Sequence, residues 1–156
     1  MNVKVKAVVA IICSVLLLSG CSTGENTSKV EVDISPIASS QDNSKGNEGL
    51  VIGSVTMSSD GEWYGEVLAG VRTAASDLGV TLVEQDSNGD VKAEEEQIRG
   101  FIRDKADAII ICPITSDKTG VVLSDAEKAG IPVVTWNTTV DTDITAKVCV
   151  DSEALG

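Results

Sequence analysis

From residue 49 onward, short apolar runs alternate with segments of helical period, and little else about the chain restricts its fold as much. Leu50 to Val55 is an apolar run bounded by Gly49 and a polar loop, as in a buried strand. Val67, Val71, Ala74, Ala75 and Leu78 then recur at helical spacing, and Gly79 fits the C-terminal stop. Val80 to Glu84 reads as a second strand. Val91, Ile98, Phe101, Ile102 and Ala106 mark a second helix, with Glu94, Glu95 and Glu96 expected on its exposed face. Ala108-Ile109-Ile110-Ile111-Cys112 is apolar without a break, which suits a central parallel strand covered on both faces. Ser116 or Asp117 is expected to cap a third helix that runs to about Ala129, with Gly130 after it. Ile131 to Trp136 reads as a fourth strand with Pro132 near its start, and Ala146 to Val150 as a fifth. The order βαβαβαββ implies an α/β fold: a doubly wound parallel sheet with helices on both faces.

The first 48 residues have a different texture. Lys4 and Lys6 precede an apolar run from Ala7 to Leu18 that is interrupted only by Ser14. The run is too short to span a bilayer, which takes about 20 apolar residues, and it reads as a signal peptide over residues 1–20. It ends at Leu18-Ser19-Gly20-Cys21, which resembles the bacterial lipobox. That resemblance implies cleavage before Cys21 and acylation of its thiol and new amino group. The lipid would anchor the protein to the outer face of the cytoplasmic membrane, in the cell envelope. Each buried CH₂ contributes roughly 0.8 kcal/mol to such an anchor. Residues 21–48 supply the lipidated cysteine and a tether rich in Ser, Asn, Gly, Asp and Glu. Within it Val30 to Ile34 alternates without an evident partner. Residues 49–156 form the folded lobe.

Charge and residue usage exclude several function classes. Of 12 basic residues, Lys4 and Lys6 leave with the signal, so 10 face 24 acidic residues, a net of −14. Nucleic-acid binding needs the opposite sign. There is no His, the commonest general base and metal ligand. The loop after the first strand, Thr56 to Glu62, is neither a dinucleotide fingerprint nor a phosphate loop. Asp60 and Glu62 read as acids at a helix N-terminus, and Asp86-Ser87-Asn88-Gly89-Asp90 as a strand-to-helix turn rather than a calcium loop. No nucleophile–base arrangement is visible, so no enzyme, metal or cofactor is expected.

In open α/β sheets, ligands bind beyond the carboxyl ends of the strands. The chain has four aromatic residues, and Phe101 fits a helix core. The other three, Trp63, Tyr64 and Trp136, fall on the ligand-side edge. Two readings stand open. The rings stack on an apolar sugar face while Asp60, Asn137 and Thr138 hold hydroxyls, or they only pack the first helix and the sheet edge.

Leu50-Val51-Ile52-Gly53 followed by a polar loop and the Trp63-Tyr64 pair resembles the opening of the type I periplasmic sugar-binding proteins. Gln85 to Asp90, Ala106 to Pro113 with Thr115-Ser116-Asp117, Ala129 to Val134, and Val150-Asp151-Ser152 are similar to their following segments in order. The ribose/galactose-type solute-binding group is nearest in pattern. The resemblance implies sheet order 2-1-3-4-5, capture of a sugar or similar small polar solute, and delivery to an ABC permease. A different reading is an extracytoplasmic sensor that reports to a membrane receptor or kinase.

Ligand contacts carry over to Trp63 and Tyr64. They also carry to Asn137 and Thr138, where ribose binders usually show Asp-Arg, which puts ribose itself in doubt. Gly61 stands in place of a polar contact, and Cys112 stands where Asn is common, which favours a buried thiol. The implied sheet order sets one strand between Cys112 and Cys149, roughly 9.6 Å for two spacings, so two separate thiols are expected. The family has two lobes, so this chain looks like a truncated N-terminal lobe. One lobe offers one wall of a pocket, with weak or no sugar binding expected, and its uncovered sheet edge leads us to expect self-association.

Overall fold

The computed structural model describes residues 46–149. The signal segment, Cys21, the Val30–Ile34 stretch and the Asp151-Ser152 motif lie outside the described residues. Five strands and three helices follow one another as β1 (Val51–Thr56), α1 (Glu62–Leu78), β2 (Thr81–Asp86), α2 (Val91–Arg103), β3 (Ala108–Ile111), α3 (Ser116–Lys128), β4 (Val133–Trp136) and β5 (Ala146–Val148). All strand pairs are parallel, and the sheet order is β2-β1-β3-β4-β5. This is the α/β topology that the alternation and the resemblance implied.

The strand side chains divide the core into two layers. Ile52, Ile110, Val134 and Trp136 pack with Val71, Ala74 and Ala75 of α1 on one face. Val55, Ile109, Ile111 and Val133 pack with Ile98 and Phe101 of α2 and Val122, Leu123 and Ala126 of α3 on the other. Consecutive residues of β3 serve opposite layers, so the unbroken apolar run is needed and every residue of β3 is fully buried. Burying each isoleucine contributes roughly 1.5–3 kcal/mol. Gly53 is required on this sheet: a Cβ there would come within 2.7 Å of the Phe101 ring.

The helix ends follow local chemistry. Gly79 closes α1 in the left-handed conformation, φ 65°, and its N–H reaches the Ala75 and Ser76 carbonyls. Asp90 caps α2, accepting from the Lys92 and Ala93 N–H groups. The third helix departs from expectation. Its N-cap position is Thr115, with Ser116 and Asp117 already in the first turn, and Thr115 makes no side-chain cap. Its hydroxyl instead lies 3.4 Å from that of Thr119.

Three further corrections concern extent and burial. The fourth strand begins at Val133 rather than Ile131, because the Ile131 N–H closes the end of α3 on the Ala126 carbonyl. Pro132 precedes the strand, and its carbonyl accepts from the Ile109 N–H. The fifth strand stops at Val148. Glu94 is not on an exposed face: it is completely buried between α2 and α3. Asn47 is also buried, and its amide donates to the Leu78 carbonyl at 3.0 Å, fixing the start of the lobe against the end of α1.

The candidate ligand-side edge

The loops that leave the C-terminal ends of β1, β2, β3 and β4 gather along one edge of the sheet. Asp86, the last residue of β2, joins the first two. Its Oδ2 accepts from the Ser59 N–H and its Oδ1 from the Asn88 N–H, each at 2.7 Å. Burial opposes ionisation of this carboxyl, yet the Ser59 and Asn88 hydrogen bonds hold it below the usual carboxylate range. The Ser87 N–H and hydroxyl both donate to the Thr56 carbonyl, and the Gly89 N–H donates to that of Met57. Asn88 and Gly89 both take positive φ to make this turn. The Asp86–Asp90 segment is thus the strand-to-helix turn that its composition suggested.

The three edge aromatics come together. The Trp63 and Tyr64 ring centroids are 4.9 Å apart, Trp63 and Trp136 5.8 Å, and Tyr64 and Trp136 6.1 Å. Their exposure is graded. Trp136 is 7 % exposed and belongs to the core layer under α1, Tyr64 is partly buried against that layer, and Trp63 is 50 % exposed. Trp136 is therefore packed, Tyr64 supports, and Trp63 alone offers much ring surface to solvent. The edge-to-face contacts of Tyr64 with Trp63 and with Trp136 each contribute about 0.5–1.5 kcal/mol beyond area burial, so the exposed indole is braced by the more buried rings.

The polar candidates surround the rings unequally. Asn137 follows Trp136 with φ 64°, a conformation that Asn tolerates better than most residues, and its N–H donates to the Val148 carbonyl at 2.9 Å. Its amide lies 3.8 Å from the Cys112 Sγ. Thr138 turns back, donating its N–H to the Trp136 carbonyl at 2.7 Å. Asp60 stands on an exposed loop, where its N–H donates to the Ser58 hydroxyl. The site thus brings Trp63, Tyr64, Trp136, Asn137 and Thr138 into one neighbourhood, with Asp60 in the loop before α1.

Cys112 lies beneath them, fully buried. Burial pushes its thiol pKa up, against the lowering effect of hydrogen bonds from Asn137 and Thr138. Burial and the neighbouring Cys112 push the Tyr64 phenol up as well. Cys112 and Cys149 are both free thiols, the first buried and the second exposed, as the sheet order required.

Two elements of the edge went unrecognised in the sequence. Composition marks Asp86 as the start of a turn, and its place at the end of a strand before Asn88-Gly89 is also the signal for the bridging it makes. The run of three acids points to a solvated face for Glu94, but Val91, Glu94, Ile98 and Phe101 share one helical face, and that shared phase is the signal of its burial. Among the described residues, no group of three His, Cys, Asp or Glu side chains could hold a metal ion, and no helix is long and apolar enough to cross a membrane. A groove of about 440 Å³ runs between β2 and α2, lined by Val83, Gln85, Gln97 and Arg103 among others. It shares no residue with the aromatic cluster.

Known proteins resemble this lobe. The ABC transporter periplasmic-binding protein YphF of Escherichia coli is 30 % identical over 94 residues, 59 % of this chain and 28 % of that protein. The xylitol-binding protein of Mycolicibacterium smegmatis is 32 % identical over 88 residues, 56 % of this chain and 25 % of that protein. The chain therefore spans about a quarter of the length of the curated relatives it matches. Among solved structures, one from Mycobacterium smegmatis in complex with β-D-fucofuranose is 30 % identical with a TM-score of 0.56, covering 62 % of this chain and 32 % of that one. Residues 52–156, from β1 to the last residue, match the family described as periplasmic binding protein domain, and the chain belongs to that family.

Proposed function

We propose that this chain is the solute-binding lobe of an ABC uptake system, taking a sugar or polyol at the carboxyl edge of its sheet for delivery to a permease. The observation that carries the reading is the half-exposed Trp63 ring, braced by Tyr64 and Trp136 at the edge where open α/β sheets bind ligands. An indole face covers the apolar C–H surface of a pyranose or an extended polyol, while Asn137, Thr138 and Asp60 supply hydroxyl partners. Tyr64 and Trp136 hold Trp63 in place. The relatives named for xylitol and for ABC transport support the same class of solute and the same route.

The lobe supplies one wall, so its affinity by itself is expected to be weak, with dissociation constants above roughly 1 mM. Both tryptophans lie in the cluster, so indole fluorescence reads the site directly. Titration with xylitol, D-xylose, D-glucose and myo-inositol is expected to perturb that fluorescence saturably for at least one of them. Trp63→Ala should abolish the response without unfolding the lobe, because the ring is half exposed. No perturbation by any of the four up to roughly 0.1 M would remove the reading.

The same proposal places the protein in the cell envelope, tethered to the outer face of the cytoplasmic membrane by lipid on Cys21. The support is the Lys4–Lys6 segment, the apolar run and the Leu18–Cys21 motif. Cells fed labelled palmitate are expected to transfer label to the wild-type chain and not to Cys21→Ser. Equal labelling of both would overturn the anchor.

A further inference from the structure

Glu94 is an acid with no exposed surface, set in the middle of α2, and among the described residues no cation pairs with it. Burying an unpaired carboxyl is costly unless its oxygens are hydrogen-bonded. Both are. Oε2 accepts from the Ile114 N–H at 3.0 Å, and Oε1 accepts from the hydroxyl of Thr119, itself fully buried in α3. One side chain of α2 thus ties together the loop that leaves β3 and the first turns of α3.

The tie falls at a particular place. The Cys112 N–H still bonds to the Val55 carbonyl, as the last step of the β1–β3 ladder. Pro113 has no N–H to give. Ile114 offers the next donor, and Glu94 takes it. The path of Cys112–Ile114 is therefore fixed between the ladder and this carboxyl. Cys112 in turn lies under Asn137, close enough to receive its amide, and beside Tyr64.

We propose that Glu94 is a positioning residue for the ligand-side edge: by holding Ile114 and Thr119 it sets Cys112 and Pro113 under the Tyr64, Trp136 and Asn137 group. Its importance to solute capture rests on the reading that solute binds at this edge. The role needs an acceptor for Ile114 and a partner for Thr119, not a charge. An amide meets both, with its oxygen toward Ile114 and its nitrogen donating to the Thr119 hydroxyl.

The test compares Glu94→Gln, Glu94→Met and Leu123→Ala in the chain that contains both tryptophans and the single tyrosine. These three rings all lie in the edge cluster, so near-ultraviolet circular dichroism reports its geometry. Amide exchange at Ile114 reports the loop. Glu94→Met, which fills the space and accepts nothing, is expected to change the aromatic band and speed Ile114 exchange by at least about tenfold. Glu94→Gln should restore both. Leu123→Ala, in the same buried layer but without a bond to the loop, should lower stability and leave the band unchanged. If Glu94→Met does not fold, Thr119→Val carries the test, with a smaller change of the same kind expected.

A wild-type band and exchange rate in Glu94→Met would overturn the proposal. So would the same spectral change in Leu123→Ala, failure of Glu94→Gln to restore, or an unchanged Thr119→Val where that variant is needed. A wild-type chain indifferent to xylitol and D-xylose defeats the solute reading instead, and leaves these spectral outcomes to decide the positioning role.

Discussion

Burial pushes two carboxyls near the same edge the same way, yet their pKa values move in opposite directions. Burial raises the pKa of Glu94, and this outweighs the lowering effect of hydrogen bonds from Thr119 and Ile114; the neighbouring Glu95 adds to the rise. Asp86 is lowered, because the hydrogen bonds from Ser59 and Asn88 outweigh its burial. A carboxyl raised in the folded state takes up a proton on folding. Glu94 therefore contributes stability that is complete below the unfolded value, about 4.3, and is lost as pH rises through the folded value. Asp86 contributes stability that is present above about 3.9 and is lost as pH falls through its lower folded value. Glu94→Gln is expected to flatten the rising-pH limb alone and to leave the acid limb in place. Urea midpoints from pH 3 to 8 check this, and parallel curves for the two proteins would refute it. The sequence concealed Glu94 because three consecutive acids look like a solvated run. Only the helical phase shared with Ile98 and Phe101 separates the buried one from its exposed neighbour Glu96. Trp63, Tyr64 and Trp136 are easier to place, since scarce aromatics at the start of the first helix and the end of the fourth strand fall on one edge of such a sheet. Which ring is packed and which is free depended on tertiary contacts.

At the level of elements, glycine acts differently on either side of the contact between β1 and α2. Gly53 lies in a strand directly under the Phe101 ring, and an added Cβ would meet three ring carbons at 2.7–2.8 Å. The ring is 5 % exposed and has little room to yield. Gly100 lies inside α2, where an added Cβ meets nothing nearer than the Arg103 guanidinium at 3.6 Å. Gly53→Ala is thus expected to destabilise by about 1–3 kcal/mol through overpacking. Gly100→Ala should stabilise by about 0.5–1 kcal/mol, through helix propensity and lower unfolded-state entropy. Chemical denaturation of the two variants checks the signs, and a loss of stability in both would show that α2 cannot take a side chain at Gly100. The elements themselves were readable from apolar period and Gly or Asp punctuation. Their ends were less so, because partners from elsewhere in the chain decide them. Glu127 shows this: its Oε1 accepts from the Val133 N–H, the Thr145 N–H and the Thr145 hydroxyl, at 2.9, 2.6 and 2.7 Å. One carboxyl from α3 thereby joins the start of β4 to the residue before β5, a bond that no local pattern announces.

For the molecule as a whole, strand order turns a list of cysteines into a chemical expectation. Cys112 leaves the end of β3 and Cys149 the end of β5, with β4 between them. Two parallel-strand spacings put the backbones roughly 9.6 Å apart, beyond the 7 Å or so that a disulfide spans. The two thiols also differ in access, Cys112 buried and Cys149 exposed. A raised pKa at Cys112 further lowers its thiolate fraction, and thiolate is the reacting species. In a chain with Cys13 and Cys21 replaced by Ser, a maleimide should label Cys149 rapidly under native conditions. Cys112 should label only at the rate of opening, becoming fully reactive in denaturant. Mild oxidation should leave no bond between them, as peptide mapping would reveal. A native Cys112–Cys149 disulfide would contradict the order β3-β4-β5 itself, because no side-chain movement can close that gap without removing β4 from the sheet. The prediction tests the feature that the sequence made most legible, the parallel α/β topology, through two residues that have no part in establishing it.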